Sequence, residues 1–369
     1  MKLLINGYNL RDTPAGIANV VINFVNSLIE NTDNSIELIV SPKYTKEIND
    51  RIKKSEKLKI IKTGSENSLF WLMFSLKKEI NKRKPDLLWS PSPLLPFGIN
   101  KKTKKLITVN DFVSRDYRNT MTLNGKLITF LLEKKTIKNA DYLWSISEYT
   151  KQRIEDYYKK RKCKKIFVGC APEPSITKID ITEKEKNDFL SKLNISKKFI
   201  LFVGSLEPRK NLSFLLNVFE NYHKRDSNIQ LVIVGARKWG TTNISDIIYR
   251  EGYPKEDAIF TPFLSEKELC SLYNLAICYV STSLNEGFGL PQVEAMQCEC
   301  PVVTAHNSAM IEVVEGAGLT VKGWDINEWC DAIEFSINNK SEIVLKQNSR
   351  IKQYRWTIIT QNLINYLDN

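Results

Sequence analysis

The sequence predicts an α/β chain of two domains, each built on a parallel, doubly wound sheet, and three observations carry that expectation. The chain has 369 residues, and at roughly 100–200 residues per domain that length suits two. In both halves short β-branched runs alternate with longer amphipathic stretches, the pattern of strands and helices in turn. Hydrophobic residues make up 42% and aromatic residues 10%, enough for full cores and far from a disordered composition.

Taken in order, residues 2–5 read as a first strand ending at Asn6-Gly7. A loop through Pro14 and Gly16 leads into a helix over residues 18–30, and residues 36–40 form a second strand. The apolar run 69–76, followed by Lys77 and Lys78, could be an interfacial helix, but it reads better as a helix packed on the first sheet, since eight apolar residues need only one buried element. Residues 87–89 and 106–109 are short buried strands that stop at polar residues or proline. A long helix over 122–139 and a strand over 142–146 follow, and Ser147 caps a helix from 148 to 158. Residues 166–168 close the first domain, and the stretch 171–198, with Pro172 and Pro174, is the connection. A second series begins at 199–203 and continues with strands at 231–234, 258–261, 277–280 and 301–304, with helices between. The domain limits are set at 1–175 and 176–354.

The charge is unevenly placed. Residues 1–180 hold 34 Lys and Arg against 19 Asp and Glu, a net of +15, and the remainder 20 against 23, a net of −3. The basic clusters lie at 77–84, 101–105 and 159–165. A basic face suits an anionic membrane or a phosphorylated lipid, while a Lys-rich composition accounts equally well for the excess. Nucleic acid is disfavoured, because the Lys runs lack interleaved aromatics and no zinc or basic-zipper signature appears. Seven Cys without paired CxxC spacing fit a reducing cytosol. Two His, His223 and His306, exclude a His-rich metal site. The N-terminus does not read as a signal peptide, and no run of about 18 apolar residues offers a membrane span.

Two loops carry the chemistry. The first, Gly204-Ser205-Leu206-Glu207-Pro208-Arg209-Lys210-Asn211, follows the strand at 199–203. Gly204 lets the backbone turn close to a ligand, and Arg209 with Lys210 offers a fork and a point charge, a good pair for a diphosphate. As plain cations at a helix start they would oppose the dipole, a cost that a bound anion would remove. The second loop, from Ser283 to Met296, contains Glu286-Gly287-Phe288-Gly289-Leu290-Pro291 and then Glu294. Its glycines free backbone N–H groups for a ligand, and Pro291 suits a first helical turn. Glu286 precedes that helix, so it and Glu294 reach different parts of one ligand, as carboxylates do on sugar and ribose hydroxyls.

On these residues the sequence resembles the retaining glycosyltransferases of family 4, with the GT-B fold of two Rossmann-like domains facing a cleft. Residues 204–211 and 286–296 carry the likeness, the latter matching the family's two Glu separated by seven residues. Gly16-Ile17, Lys84-Pro85-Asp86 and Ser147-Glu148 support it, and Trp356 fits a closing helix at 355–369 that in this fold crosses back to the first domain. The resemblance implies that Arg209 and Lys210 bind the donor diphosphate and stabilise the leaving group. It gives Glu294 the ribose hydroxyls and Glu286 the donor sugar, the latter helped by the N–H groups of Phe288, Gly289 and Leu290. Gly16 would let the first loop approach the phosphate and sugar. Retention without a required metal or other cofactor follows from the same resemblance. The Pro-Arg-Lys-Asn form and the Gly-Phe-Gly-Leu-Pro loop are similar to bacterial mannosyl- and rhamnosyltransferases of surface polysaccharide and O-antigen assembly. That implies a nucleotide-sugar donor, a glycan or polyprenyl-diphosphate-linked acceptor, and a cytoplasmic place, peripheral on the inner face of the plasma membrane.

Two departures stand out. Where the family commonly has His-Asp, Val109 is followed by Asn110-Asp111, and Asn exchanges hydrogen bonds but shuttles no proton. Ala18 replaces a common Gly in the first loop. Two other readings stay open: a nucleotide-sugar epimerase of similar architecture, and a catalytically silent sugar-nucleotide-binding subunit, which Asn110 keeps in play.

Overall fold

A computed structural model of the chain describes residues 1–11, 16–112, 115, 123–235, 244–261 and 264–368, and the side chains of residues 68 and 123–130 are not considered. The loop position Pro14 therefore lies outside the described residues. The chain divides into two compact units, Met1–Glu173 with Arg355–Asn369, and Pro174–Tyr354.

The first unit holds β1 (Lys2–Asn6), β2 (Ser35–Val40), β3 (Leu58–Lys62), β4 (Leu87–Ser90), β5 (Lys104–Val109), β6 (Tyr142–Ser145) and β7 (Ile166–Val168). They form one sheet in the order β3-β2-β1-β4-β5-β6-β7, with every pairing parallel. Parallel strands need crossovers, and the intervening helices cover both faces. This is why the strands read as continuous apolar runs: β1 and β4 are buried almost throughout. β3 went unread in the sequence because Leu58-Lys59-Ile60-Ile61-Lys62 is an edge strand, part-exposed and set among lysines.

The core of this unit is aromatic. Phe24, on the Ile17–Asn31 helix, meets Trp89 and Trp144 edge-on at 4.7 and 4.9 Å, and the two indoles stack at 5.6 Å. Both indole N–H groups are answered, Trp89 by Thr108 Oγ1 at 2.9 Å and Trp144 by the Gly169 carbonyl at 2.6 Å. The C-terminal helix Trp356–Asp368 packs on the Ile17–Asn31 helix. Trp356 donates to the Pro172 carbonyl at 2.9 Å, and Thr360 and Ser27 share a buried hydroxyl pair at 2.7 Å. The last residues of the chain thus finish the core that the first ones begin.

The second unit holds β8 (Lys198–Val203), β9 (Ile229–Val234), β10 (Ala258–Thr261), β11 (Cys278–Ser281), β12 (Val302–Ala305) and β13 (Leu319–Val321). Their order is β10-β9-β8-β11-β12-β13, again all parallel. β13 escaped the sequence reading because its three residues are too few to show a period. Cys270, Cys278, Cys298, Cys300 and Cys330 of this unit, like Cys163 and Cys170 of the other, are buried free thiols.

Trp356→Ala should destabilise the first unit by about 3–5 kcal/mol, through the cavity and the lost indole bond. Urea unfolding followed by a probe of that unit measures it. A cost below about 1 kcal/mol would mean that the C-terminal helix is not part of its core.

Candidate active site

A doubly wound sheet binds ligands where its strand order reverses, outside the carboxyl ends of the strands. In the second unit the order runs outward from β8 in one direction and from β11 in the other. The loops leaving these two adjacent strands are the two read from the sequence, so strands 75 residues apart in the chain deliver both motifs to one edge.

After β8 the backbone crosses Gly204. A Cβ at Gly204 would make only ordinary contacts, the nearest with Lys210 Cε at 3.4 Å, and the tighter demand falls next door, where a Cβ on Gly235 would sit 1.9 Å from the Gly204 carbonyl. Close packing of this loop on the end of β9 thus needs glycine at 235, a residue the sequence did not single out. Pro208–Lys210 then forms a 3-10 turn, and Asn211 takes a left-handed conformation (φ 51°) before the Leu212–Arg225 helix. The two cations therefore precede the helix rather than cap it, and their partner is a side chain. Arg209 donates to Glu286 Oε2 at 2.9 Å and to Glu207 Oε1 at 2.6 Å, while Lys210 Nζ pairs with Glu286 Oε1. Ser283 Oγ donates to the same Oε1 at 2.7 Å.

The loop after β11 is tied down on all sides. Leu284 N donates to the Arg209 carbonyl at 2.8 Å, and Thr282 Oγ1 lies 3.1 Å from the carbonyls of both Lys210 and Asn211. From beyond β12, Ser308 (φ 49°) accepts the Glu286 N–H at 2.9 Å, and Asn307 donates to the Ser283 carbonyl at 3.1 Å. Lys210 and Glu286 are each only 8% exposed. Burial alone would push the Glu286 carboxyl up, but the charges of Lys210 and Arg209, with bonds from Lys210 and Ser283, outweigh it and pull the pKa down to about 2.

Gly289 (φ 108°) occupies the left-handed region that glycine tolerates, turning the chain into the Leu290–Gln297 helix with Pro291 in its first turn and no side-chain cap. Phe288 is buried edge-on against Tyr354 at 5.5 Å, so the turn is anchored in the core at the start of the helix. One turn further along, Glu294 is also 8% exposed and accepts from the Tyr273 hydroxyl at 3.0 Å. Burial first, then the Glu294 charge, raise the Tyr273 pKa well above 10, so the phenol stays a donor.

Arg209, Lys210 and Glu286 thus form one cluster, and Phe288, Gly289, Leu290 and Glu294 continue from it along one loop and helix. Gly16, Asn110 and Asp111 belong to the first unit. Gly16 (φ 51°) starts the Ile17–Asn31 helix. Asn110, at the end of β5, donates to the Pro91 carbonyl at 2.8 Å, and Asp111 is exposed. The sequence missed Tyr273, Asn307 and Ser308: a tyrosine among apolar helix residues reads as core, and a left-handed serine leaves no signal. Among the described residues no group of three or more His, Cys, Asp or Glu could hold a metal ion.

Comparison with known proteins shows what the chain is similar to. Residues 183–355 match the family model described as glycosyl transferases group 1. Similar curated proteins include the serotype-specific mannosyltransferase WbdA of Escherichia coli, 27% identical over 180 residues, which is 48% of this chain and 22% of that protein. The O-antigen chain mannosyltransferase B of Escherichia coli is 30% identical over 174 residues, 45% of each chain. The O-antigen chain mannosyltransferase RfbU of Salmonella typhimurium is 25% identical over 263 residues, 71% of this chain and 68% of that one. The matched stretch therefore spans about a fifth of WbdA. Among solved structures, a sucrose-phosphate synthase of Thermosynechococcus elongatus superposes with a TM-score of 0.76 at 16% identity, covering 100% of this chain and 98% of that one. Anabaena HepE in complex with UDP and glucose gives 0.75 at 16% identity, with 100% of both chains covered. The fold is GT-B.

Because the folded Glu286 carboxyl is more acidic than its unfolded value of 4.5, its stabilising contribution is complete above about pH 5 and is lost as the pH falls through 4.5 towards about 2. Glu286→Gln should therefore be less stable than the parent by about 3 kcal/mol near pH 6, and the gap should narrow below pH 4. Denaturation midpoints across that range test this, and parallel curves for the two proteins would contradict it.

Proposed function

With a glycosyl transferase group 1 domain as its second unit, the chain is, we propose, a retaining glycosyltransferase that moves a sugar from a nucleoside-diphosphate donor to a glycan in surface polysaccharide or O-antigen assembly. The observation that carries this reading is the largely buried Arg209–Lys210–Glu286 cluster at the strand-order reversal of the second sheet. Mannose is the first sugar to test, because the similar curated proteins are named mannosyltransferases. The acceptor is a glycan on a polyprenyl diphosphate, in keeping with the +15 net charge of residues 1–180, and the protein works at the inner face of the plasma membrane.

In this reading the donor diphosphate takes over Arg209 and Lys210, and Glu286 turns from the cations to the sugar hydroxyls. The N–H groups of Phe288, Gly289 and Leu290 add fixed dipoles where charge develops on the leaving group. Arg209 and Lys210 supply the charge that a metal would otherwise bring, so no metal is required. Glu294 accepts from the ribose hydroxyls with one oxygen, while Tyr273 holds the other. The acceptor proton leaves on a phosphate oxygen of the departing diphosphate, consistent with Asn110 standing where a histidine is common.

Arg209→Ala and Lys210→Ala should each lower turnover about 10²–10³-fold while remaining folded, in assays run with a chelator present. Release of nucleoside diphosphate from a panel of donors measures it. Near-parental rates in both variants, or a requirement for added metal, would sink the assignment, and an epimeric donor as product would replace it with an epimerase. Tyr273→Phe should weaken binding of the nucleoside diphosphate about tenfold but leave that of its 2′,3′-dideoxy form unchanged. Equal losses for both would place Tyr273 in the core alone.

A further inference from the structure

The sequence reads the apolar run 69–76 as core rather than as an interfacial helix, and three of its side chains face outward. An α-helical turn Ser68–Phe70, a π-helical turn Trp71–Leu76 and an α-helix Lys77–Arg83 follow one another without a break. Trp71, Leu72 and Leu76 are buried, with the Trp71 N–H on the Thr63 carbonyl at 2.7 Å. Leu69, Phe70 and Phe74 face outward, at 45%, 52% and 61% exposure, and the two phenyl rings pack on each other at 4.7 Å. Among the described residues of the first unit seven large apolar side chains are exposed, and the other four are Met1, Phe97, Leu131 and Ile358.

Phe97 and Leu131 continue the same strip. Lys77 lies one turn beyond Phe74, and its Nζ reaches the loop at Gly98, where it would lie 2.9 Å from an added Cβ. Asn81, one turn further, donates to the Gly98 carbonyl at 3.2 Å. Phe97 adjoins that glycine, and Lys135 Nζ sits 4.0 Å from the centre of its ring. Leu131 is one turn before Lys135 on the Leu123–Lys138 helix. The strip thus alternates aromatic or leucine side chains with lysines, and Lys78 and Lys134 are exposed beside it. The carboxylates of the two helical segments face inward: Glu79 pairs with Arg83 at 2.8 Å and is 8% exposed, and Glu133 accepts from Tyr158 at 2.6 Å and is 4% exposed. Apolar anchors set among cations, with the acids of these two helical segments withdrawn, complement an anionic lipid bilayer: the rings enter the acyl boundary and the ammonium groups stay at the phosphates.

We propose that the strip of Leu69, Phe70, Phe74, Phe97 and Leu131, with its interleaved lysines, is the surface by which the first unit inserts into an anionic membrane. This rests on the reading that the protein meets a membrane, and it makes apolar insertion at this strip the principal contact.

The experiment is co-sedimentation of the full chain with phosphatidylglycerol–phosphatidylcholine vesicles and with phosphatidylcholine alone, at low and at physiological salt. Donor turnover without vesicles is measured alongside. The parent should bind only the anionic vesicles. Phe70→Ser with Phe74→Ser should weaken binding at least about tenfold and make the remainder more salt-sensitive. Lys77→Gln with Lys78→Gln and Lys135→Gln should lower binding at low salt, and all variants should keep the parent's melting temperature and turnover. Parent binding that the Phe pair does not alter overturns this surface and leaves membrane attachment to other lysines. A parent that ignores anionic vesicles overturns the surface and the membrane reading together, while its turnover still reports on the transferase. A vesicle-free dimer that the Phe pair dissociates identifies the strip as a self-association face and also overturns the proposal.

Discussion

Lys210 and Glu286 are buried, with Arg209 partly buried beside them, where the second sheet reverses its strand order, and much of that unit is arranged to hold them there. Taking Arg209, Lys210 and Glu286 out of water costs several kcal/mol per ion, and their mutual attraction recovers it only with good geometry and satisfied neighbours. The neighbours are present: Ser283 on the carboxylate, Ser308 on its backbone N–H and Thr282 on the Lys210 carbonyl. A well-packed apolar cluster in the same space would be as stable or more so. An ionic cluster in this place is what the proposed diphosphate donor would need.

Charge balance makes the same argument more specific. At rest, Arg209 and Lys210 are answered by Glu286 and Glu207, so the cluster is close to neutral. On the proposed function a donor diphosphate cannot simply add to it: either a carboxylate gives way, or backbone dipoles meet the new charge. Both devices would sit on one loop: Glu286 ahead of the Gly287–Gly289 bend, and the start of the Leu290–Gln297 helix, without a side-chain cap, after it.

Much of this was legible in the sequence, and the reasons are local. Gly289 and Pro291 announce a turn and a helix start, Arg209-Lys210 follows an apolar run directly, and a parallel sheet makes its strands conspicuous by burying both faces. What escaped was either marginal or non-local. β3 and β13 are edge strands, one half-wet and one three residues long. The pairing of Lys210 with Glu286 joins positions 76 apart in the chain, and no periodicity encodes it. Tyr273 looks like core because it is core, and only its hydroxyl reaches Glu294. The apolar run at 69–76 was read as buried because composition does not tell a turn's inner face from its outer one.

Asn110 shows how a departure from a family pattern can be narrower than it looks. Its amide donates to the Pro91 carbonyl at 2.8 Å, and its own carbonyl lies 3.5 Å from Thr150 Oγ1. It therefore links the end of β5 to the segment after β4 and to the Glu148–Tyr157 helix. An imidazole N–H could make the first bond as well as an amide can, so the exchange conserves the link while removing a group that titrates near neutral pH. A reaction that needed a base at this position could not tolerate the exchange. One that hands its proton to a leaving phosphate could, provided that phosphate is held firmly enough to accept it. On the proposed function the demand falls on Arg209 and Lys210, whose side chains are already fixed by the bonds described above.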